Sequence, residues 1–423
     1  MQPTAQRLRD QNGEVRLDDL TETGAGAASA VTPERVDWVV DNAPSARYPI
    51  YTRANIGEVF PDVVMPFSWT LWGIPHAEPG WCQAFINLGA FDPDEFTTGE
   101  MEMLGVFGGY GYLNVSASRV FGVRTPGLSP EAIDMSFFGE QPDVPPYEPQ
   151  PGDDSERHSR QMGETLSWLF SATDLPDLRE TRTALEALRA GRPDYAAMDD
   201  GDLLRHVRHL ADTEWGPLWV RHIEATYHAM IPSGLIAALC AEIGRPDLAT
   251  DIVSSLGNVD SALPANRLWA LGEQAARSKA VSAAFDTGLD GVLDRLSRDR
   301  DPEAVAFCSA FDDFIDTFGF RGPKEWEMRS RCWELDPATP LAAIDKMRKA
   351  DPADSPTARN ARAADARSRA IETVRAALSA QAEALGQFDA AVRAAAVFFA
   401  GRERTKTNCA MLTHEMRMAM WEL

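Results

Sequence analysis

Long apolar runs are missing from this chain of 423 residues. None approaches the roughly 20 consecutive apolar residues that a bilayer span requires, so no membrane association is expected. The N-terminal stretch MQPTAQRLRDQNGEVRLDDL has no apolar core of the kind a secretion signal needs. Cysteine is scarce: Cys82, Cys240, Cys308, Cys332 and Cys409 lie far apart, with no C-x-x-C pair. An odd, scattered set reads as reduced thiols in a cytoplasmic protein and argues against both a disulfide framework and a cysteine zinc site. Positive charge is also in deficit. The formal net charge is −23, so the summed field repels a polyanion, and no dense Lys/Arg run overcomes it locally. Nucleic acid is therefore not an expected ligand, and a phosphate-bearing substrate requires a local cluster of arginines.

Several catalytic signatures are absent as well. The sequence has no G-x-x-x-x-G-K-[ST] phosphate loop, no G-x-S-x-G nucleophile elbow and no H-E-x-x-H zinc helix. The Gly109-x-Gly111 pair lacks the third glycine and the following helix of a dinucleotide fingerprint. No cofactor is expected on this chain, and nothing in it holds ATP by a recognisable device. His206 and His209 are spaced i, i+3, and Glu224 and His228 i, i+4, but the Glu-x-x-His repeat of a carboxylate-bridged metal bundle is missing. These read as ordinary surface or core histidines, with no metal site. His222, in the aromatic-rich EWGPLWVRHIEATYH, suits either a pocket wall or core packing.

What is present predicts a mainly α fold with a smaller α+β portion. Residues 1–49 read as a peripheral arm, Gly/Ala/Ser-rich in the middle (TETGAGAASA). From 50 to 138, short apolar runs rich in Gly, Pro and aromatics predict short strands and tight loops rather than long helices. Residues 139–156 hold five prolines and several acids in EQPDVPPYEPQPGDDSE and read as a linker or surface loop. From 157 to 423 helical periodicity dominates. Ile371, Val374, Leu378, Leu385, Phe388, Val392 and Phe399 recur on one stripe, which predicts a long hairpin or bundle helix after a polar break over 350–366.

Two segments stand out chemically. In RANIGEVFPDVVMPFSWTLWGIP, the polar Asn55 and Glu58 precede Phe67, Trp69 and Trp72. A bulky organic ligand calls for such apolar walls with a few placed polar groups, although composition alone favours a plain buried loop. In FGFRGPKEWEMRSRCWELDP, Arg321, Lys324 and Glu325 flank a Gly-Pro turn, and Glu327, Arg329 and Arg331 follow. An arginine on a rigid turn presents its fork to a moving phosphoryl group, and a nearby carboxylate accepts a hydroxyl proton. A salt-bridge network between helices explains the same charges equally well.

Taken together, these segments resemble a known family. ANIGEVFPDVVMPFSWTL is similar to the N-(I/V)-G-E-V-x-P opening of the middle domain in rifampin phosphotransferase and its relatives, the phosphoenolpyruvate-synthase-like dikinases. GYLNVSASRV resembles that family's Y-x-N-(L/V)-(S/T) strand. GFRGPKEWEMRSRCWELDP resembles its G-H-R-G-P-x-E segment, with Phe320 in place of the usual histidine and Arg329-Ser330-Arg331-Cys332 in place of a Pro-Arg run.

The resemblance implies a machine in three parts. An ATP-grasp domain binds ATP and magnesium, and a swivelling domain carries a phosphohistidine while AMP and phosphate are released. The middle domain, the acceptor-binding part, presents the hydroxyl that receives the group. Only that last part is matched here. His414, in MLTHEMRM, lacks the family's T-G-x-x-S-H loop and is not expected to be the phosphocarrier. The expectation is thus a split enzyme, not competent alone, whose partners are an ATP-grasp subunit and a phosphohistidine domain. Split relatives that phosphorylate phenols fit this layout, so a small aromatic substrate is expected, with a rifamycin-like macrocycle or a non-catalytic helical binding role as alternatives. By motif position, Arg321 steadies the phosphoryl group and Glu325 or Glu327 orients or deprotonates the acceptor. Asn55, Glu58, Asn114, Lys324 and His222 supply polar contacts, and Phe67, Trp69 and Trp72 supply aromatic walls.

Overall fold

A computed structural model describes residues 40–139, 144–256 and 259–423. Residues 1–39 of the expected arm over 1–49, and 140–143 of the expected linker, lie outside the described residues. The chain is 67% helical, with one small antiparallel sheet, as the periodicity predicts. Among the described residues no helix is long and apolar enough to cross a membrane. Two compact units emerge. One comprises the residues up to Gly163 together with Ala211–Val220, and the other Glu164–Leu210 with Arg221–Leu423.

The first unit contains the sheet. Strands β1 (Tyr51–Thr52), β2 (Leu104–Phe107) and β3 (Tyr110–Asn114) lie in the order β1-β3-β2. A two-residue turn joins β2 to β3 at Gly108 and Gly109, with φ of +59° and +80°. Tight hairpin turns of this kind need φ > 0 at both central positions, which glycine adopts without strain. Both glycine amides donate to the carboxylate of Asp41, at 2.8 Å each.

Where loops were expected, residues 66–88 form one continuous helical run: Pro66–Ser68, a wide π-type stretch Trp69–Ala77, and Glu78–Leu88. Pro75 lies inside the π-type stretch. A proline breaks ordinary α register because it lacks an N–H and clashes with the preceding turn, and the wider winding absorbs it. The winding turns Trp69 and Trp72 inward, to 1% and 2% exposure. Trp72 packs against Phe60 and Trp215, with ring centroids 5.4 and 4.9 Å away.

Glu78 fastens this helix to the sheet. Its buried carboxylate accepts the backbone N–H groups of Glu102, Met103 and Leu104 at 2.7, 2.9 and 2.8 Å. Burial pushes its pKa up to about 7, against the lowering effect of those hydrogen bonds. Each buried donor left without a partner costs about 1–3 kcal/mol. Glu78→Ala should therefore destabilise the protein by about 3 kcal/mol or more, and Glu78→Gln, which keeps one acceptor oxygen, by less. Urea denaturation followed by circular dichroism measures both.

The second unit is all helix. One core packs Leu268, Leu271, Phe285, Phe307, Phe311 and Ile344. A second gathers Ile371, Val374, Leu378, Phe388 and Val392, with Leu385 and Phe399 packed against it, so the predicted stripe is one side of a single core. The stripe is carried by two helices, Pro356–Ala377 and Ala382–Met420, which are separated by a short turn. The first begins inside the expected polar break. Ser355 caps it by accepting the N–H of Ala358, and Pro356 occupies the first turn, where no donor is missed.

Candidate functional site

The FGFRGPKEWE segment follows the helix Pro302–Phe318 and doubles back on the residues after it. Glu334 N–H donates to the Gly319 carbonyl at 2.9 Å and Trp333 N–H to the Arg321 carbonyl at 2.8 Å. The two passes lie so close that a Cβ at Gly319 would sit 2.9 Å from the Glu334 Cβ, besides 2.5 Å from the Ile315 carbonyl oxygen of the preceding helix, and one at Gly322 3.0 Å from the Cys332 Cα. A side chain at Gly319 would force the crossing apart, and one at Gly322 would press on the Cys332 backbone. The chain reverses through Lys324, whose φ of +56° is unusual for a residue with a side chain.

This turn presents Arg321 to a cavity of about 700 Å³ in the second unit. The opposite wall comes from the helix Pro176–Ala190, where Arg182, Glu186 and Arg189 are spaced to share one face. Arg192 follows just beyond the helix end, and Phe320 and Glu334 complete the group. Arg321 Nη1 donates to Glu325 Oε2 at 2.8 Å. Phe320 lies between two cations: the Arg189 and Arg321 guanidinium carbons are 5.3 and 5.6 Å from its ring centre.

Behind the wall runs a buried polar network. Glu415, 1% exposed, accepts from Arg189 Nε at 3.1 Å and from Arg192 Nε and Nη2 at 2.7 and 2.8 Å. Glu334 accepts from Arg192 Nη1 at 2.5 Å and pairs with His414 Nε2 at 2.7 Å. The other ring nitrogen of His414 lies 3.3 Å from Cys332 Sγ. Burial pulls the Glu334 carboxyl up, but hydrogen bonds from His414 and Arg192 outweigh it and hold the pKa down at about 2. Cys332 is similarly depressed: burial raises the thiol, and the bond to His414 wins. Arg182 binds Asp260 at 2.5 Å and Asn408 at 2.7 Å. His414 is fully buried with both ring nitrogens engaged.

The structure divides the expected site residues between the units. Arg321 lines the cavity, and Glu325 reaches it through its ion pair with Arg321. Glu327 is buried at 4% exposure in the same turn. Its carbonyl, 3.2 Å from Arg417 Nη2, helps hold that buried guanidinium. His222 is a buried, neutral imidazole. Its Nδ1 is 3.0 Å from the Thr405 hydroxyl, its ring meets Trp326 edge-on, and burial lowers its pKa to about 3. Lys324 stands at the reversal of the same turn, and the remaining six belong to the first unit. Asn55 and Glu58 are exposed around the short helix Ile56–Val59. Phe67 is half-buried, whereas Trp69 and Trp72 are core. Asn114 spends its amide on the Tyr48 carbonyl at 2.6 Å and on the Ala117 N–H at 2.9 Å.

The first unit also brings Asp92, Glu95 and His158 together, with potential ligand atoms within 4.8 Å of one another. Arginines already occupy the carboxylates: Arg124 holds Glu95 at 2.7 Å, Arg47 approaches it at 2.9 Å, and Arg157 pairs with Asp92. Three guanidiniums neutralise the charge that a cation would need.

Residues 221–403 match the family model of the rifampicin phosphotransferase fourth domain. No curated protein matches the chain. The matched span, a little under half of the chain, includes the whole Arg321 turn and Glu334, and it supports the rifampicin phosphotransferase and PEP-utilising family. The model is described as a fourth domain, where the sequence resemblance pointed to a middle one. The wall from Pro176–Ala190, Arg192 and the network residues Asn408, His414 and Glu415 lie outside the match, and the motifs alone did not single out Arg182, Arg189, Arg192, Glu334 and Glu415. The spacing of Arg182, Arg189 and Arg192 was a visible signal of a cationic helix face, but their carboxylate partners lie more than 200 residues away in the case of Glu415.

Two stability predictions follow from this chemistry. Glu415→Gln strips a buried counter-charge from two arginines, and loss of one partner from a buried pair costs about 3–5 kcal/mol; denaturant unfolding should show a loss of that size. His222 and His228 are both held neutral by burial, with pKa values of about 3, against about 6.5 in the unfolded chain. The unfolded state therefore takes up protons first as pH falls below 6.5, and Glu334 adds a further loss below about pH 4.5. Glu78, whose pKa is raised by burial, works in the opposite sense between pH 7 and about 4.5; the two histidines outweigh it, so the melting temperature should drop from pH 6 to pH 4, and His228→Phe should flatten that slope.

Proposed function

We propose that the second unit holds the acceptor of a dikinase-type phosphotransferase, an aromatic hydroxyl that receives a phosphoryl group from a phosphohistidine on another domain. ATP and magnesium are bound by an ATP-grasp partner, AMP and phosphate are released there, and this chain is not competent alone. The observation that carries this reading is Arg321, fixed on a glycine-dependent turn at the wall of a cavity, with a carboxylate within hydrogen-bond reach. The fourth-domain match over the same turn supports it.

In the transfer step the N–P bond of the phosphohistidine breaks as the acceptor oxygen forms its O–P bond. Arg321 offers the planar fork that suits phosphoryl oxygens. Its hydrogen bond to Glu325 sets the orientation of the guanidinium, and Glu325 takes the hydroxyl proton. A phenol, with a pKa of about 10, needs only modest help to become nucleophilic. The description of the matching family favours a second reading with the same mechanism, in which the acceptor is a rifamycin-type antibiotic.

The test mixes this chain with an ATP-grasp partner, a phosphohistidine domain, ATP, magnesium and candidate phenols. AMP release should depend on the phenol. Arg321→Ala should lower kcat/KM at least about a hundredfold, as loss of a transition-state charge donor does. Unchanged turnover in that variant would remove Arg321 from the mechanism, and no phenol-dependent AMP with any acceptor would leave a non-catalytic binding role.

A further inference from the structure

A smaller cavity of about 320 Å³ lies beside the first in the second unit, and both have Arg321 and Thr407 in their walls. Its lining is of a different kind. The larger cavity is walled by arginines already matched to carboxylates: Arg182 to Asp260, and Arg189 and Arg192 to Glu415 and Glu334. The smaller one has an apolar side made by Pro264, Leu268, Met347 and Trp333. Trp333 is held in place by stacking on Phe314, with ring centres 5.6 Å apart and planes 25° apart, and its indole N–H is buried without a hydrogen-bond partner. On the polar side, with Arg321, Glu325 and Glu403, stands Lys406, which forms no salt bridge among the described residues, to Glu403 or to any other carboxylate.

These features specify a ligand. A volume of 320 Å³ is at the small end of ligand cavities, which run from about 300 to 1,000 Å³. That leaves room for one ring and none for a macrocycle. A flat indole with apolar neighbours suits an aromatic ring. The unmatched ammonium suits an anionic group, and the Arg321–Glu325 pair suits a hydroxyl.

We propose that the smaller cavity takes a single aromatic ring bearing both a hydroxyl and a carboxylate. The ring packs on Trp333 and Met347, the carboxylate pairs with Lys406, and the hydroxyl meets Arg321 and Glu325 where the two cavities join. The larger cavity is then left for the incoming phosphoryl group and the domain that carries it. This assignment rests on the phosphotransferase reading for the fate of the hydroxyl, and adds the size and charge of the acceptor.

Calorimetric titration of the full chain with 4-hydroxybenzoate, phenol and a rifamycin tests it without any partner. Saturable binding of 4-hydroxybenzoate is expected. Lys406→Met should weaken that binding by about tenfold or more, the scale of one charged hydrogen bond, and leave phenol unchanged. Ala265→Phe, which fills the smaller cavity, should abolish binding of both ring compounds with an unchanged circular dichroism spectrum. If that variant fails to fold, the Lys406→Met result decides. Absence of saturable binding by either ring compound overturns the proposal, as does 4-hydroxybenzoate binding that Lys406→Met leaves intact. Rifamycin binding alone overturns it too, while leaving the phosphotransferase reading standing, because that reading is judged by acceptor-dependent AMP release.

Discussion

Glu415 is almost wholly buried in the last helix, and its two oxygens take three N–H groups from Arg189 and Arg192. A carboxylate in that position is stable only because the guanidiniums match it, and they in turn are kept rigid only because it is there. Glu334 repeats the arrangement at the cavity wall, with His414 behind it and Cys332 behind that. The result is a set of arginines whose positions are fixed before any ligand arrives. Preorganised donors of this kind cost no rearrangement when charge moves past them.

On the proposed phosphotransferase reading, this arrangement reconciles an acidic protein with a phosphorylated reactant. A chain with a net charge of −23 repels anions at long range, and screening confines that field to about a nanometre at physiological salt. Inside the second unit the balance is local and nearly neutral, because each cavity arginine has its own carboxylate. Arg321 differs in being held by a neighbour four residues along the same turn rather than by the buried network. Its partner is also only half-buried, so the pair is able to open towards a ligand while the network behind keeps its shape.

Much of the architecture was legible in the sequence, and the reasons are local. The hydrophobic stripe from Ile371 to Phe399 identified a core face because helical periodicity is a property of neighbouring residues. The Arg321 turn stood out because a close backbone crossing leaves glycines in the sequence, here Gly319 and Gly322. The helix over residues 66–88 did not stand out, because Pro75 and the dense aromatics imitate a loop and only the wider winding reconciles them with a helix. Trp69 and Trp72 looked like pocket walls for the same reason; burial against Phe60 and Trp215 makes them core. The buried polar network was invisible for another reason. A glutamate, a histidine and an arginine in a helix pattern look like a solvated face until the long-range partners are known, and the partners of Glu415 are 223 and 226 residues distant.

On the proposed reading the Arg321 guanidinium contacts the oxygens of the phosphoryl group as it passes to the acceptor. The most direct measurement is the NMR signal of the Arg321 guanidinium Nε–Hε group during titration of the chain with an aryl phosphate ester, the product of the proposed reaction. A saturable shift at Arg321, clearly larger than the dephosphorylated phenol produces and lost in Glu325→Ala through altered orientation of the guanidinium, is the predicted result. An Arg321 signal that stays fixed while the ester binds elsewhere would contradict it.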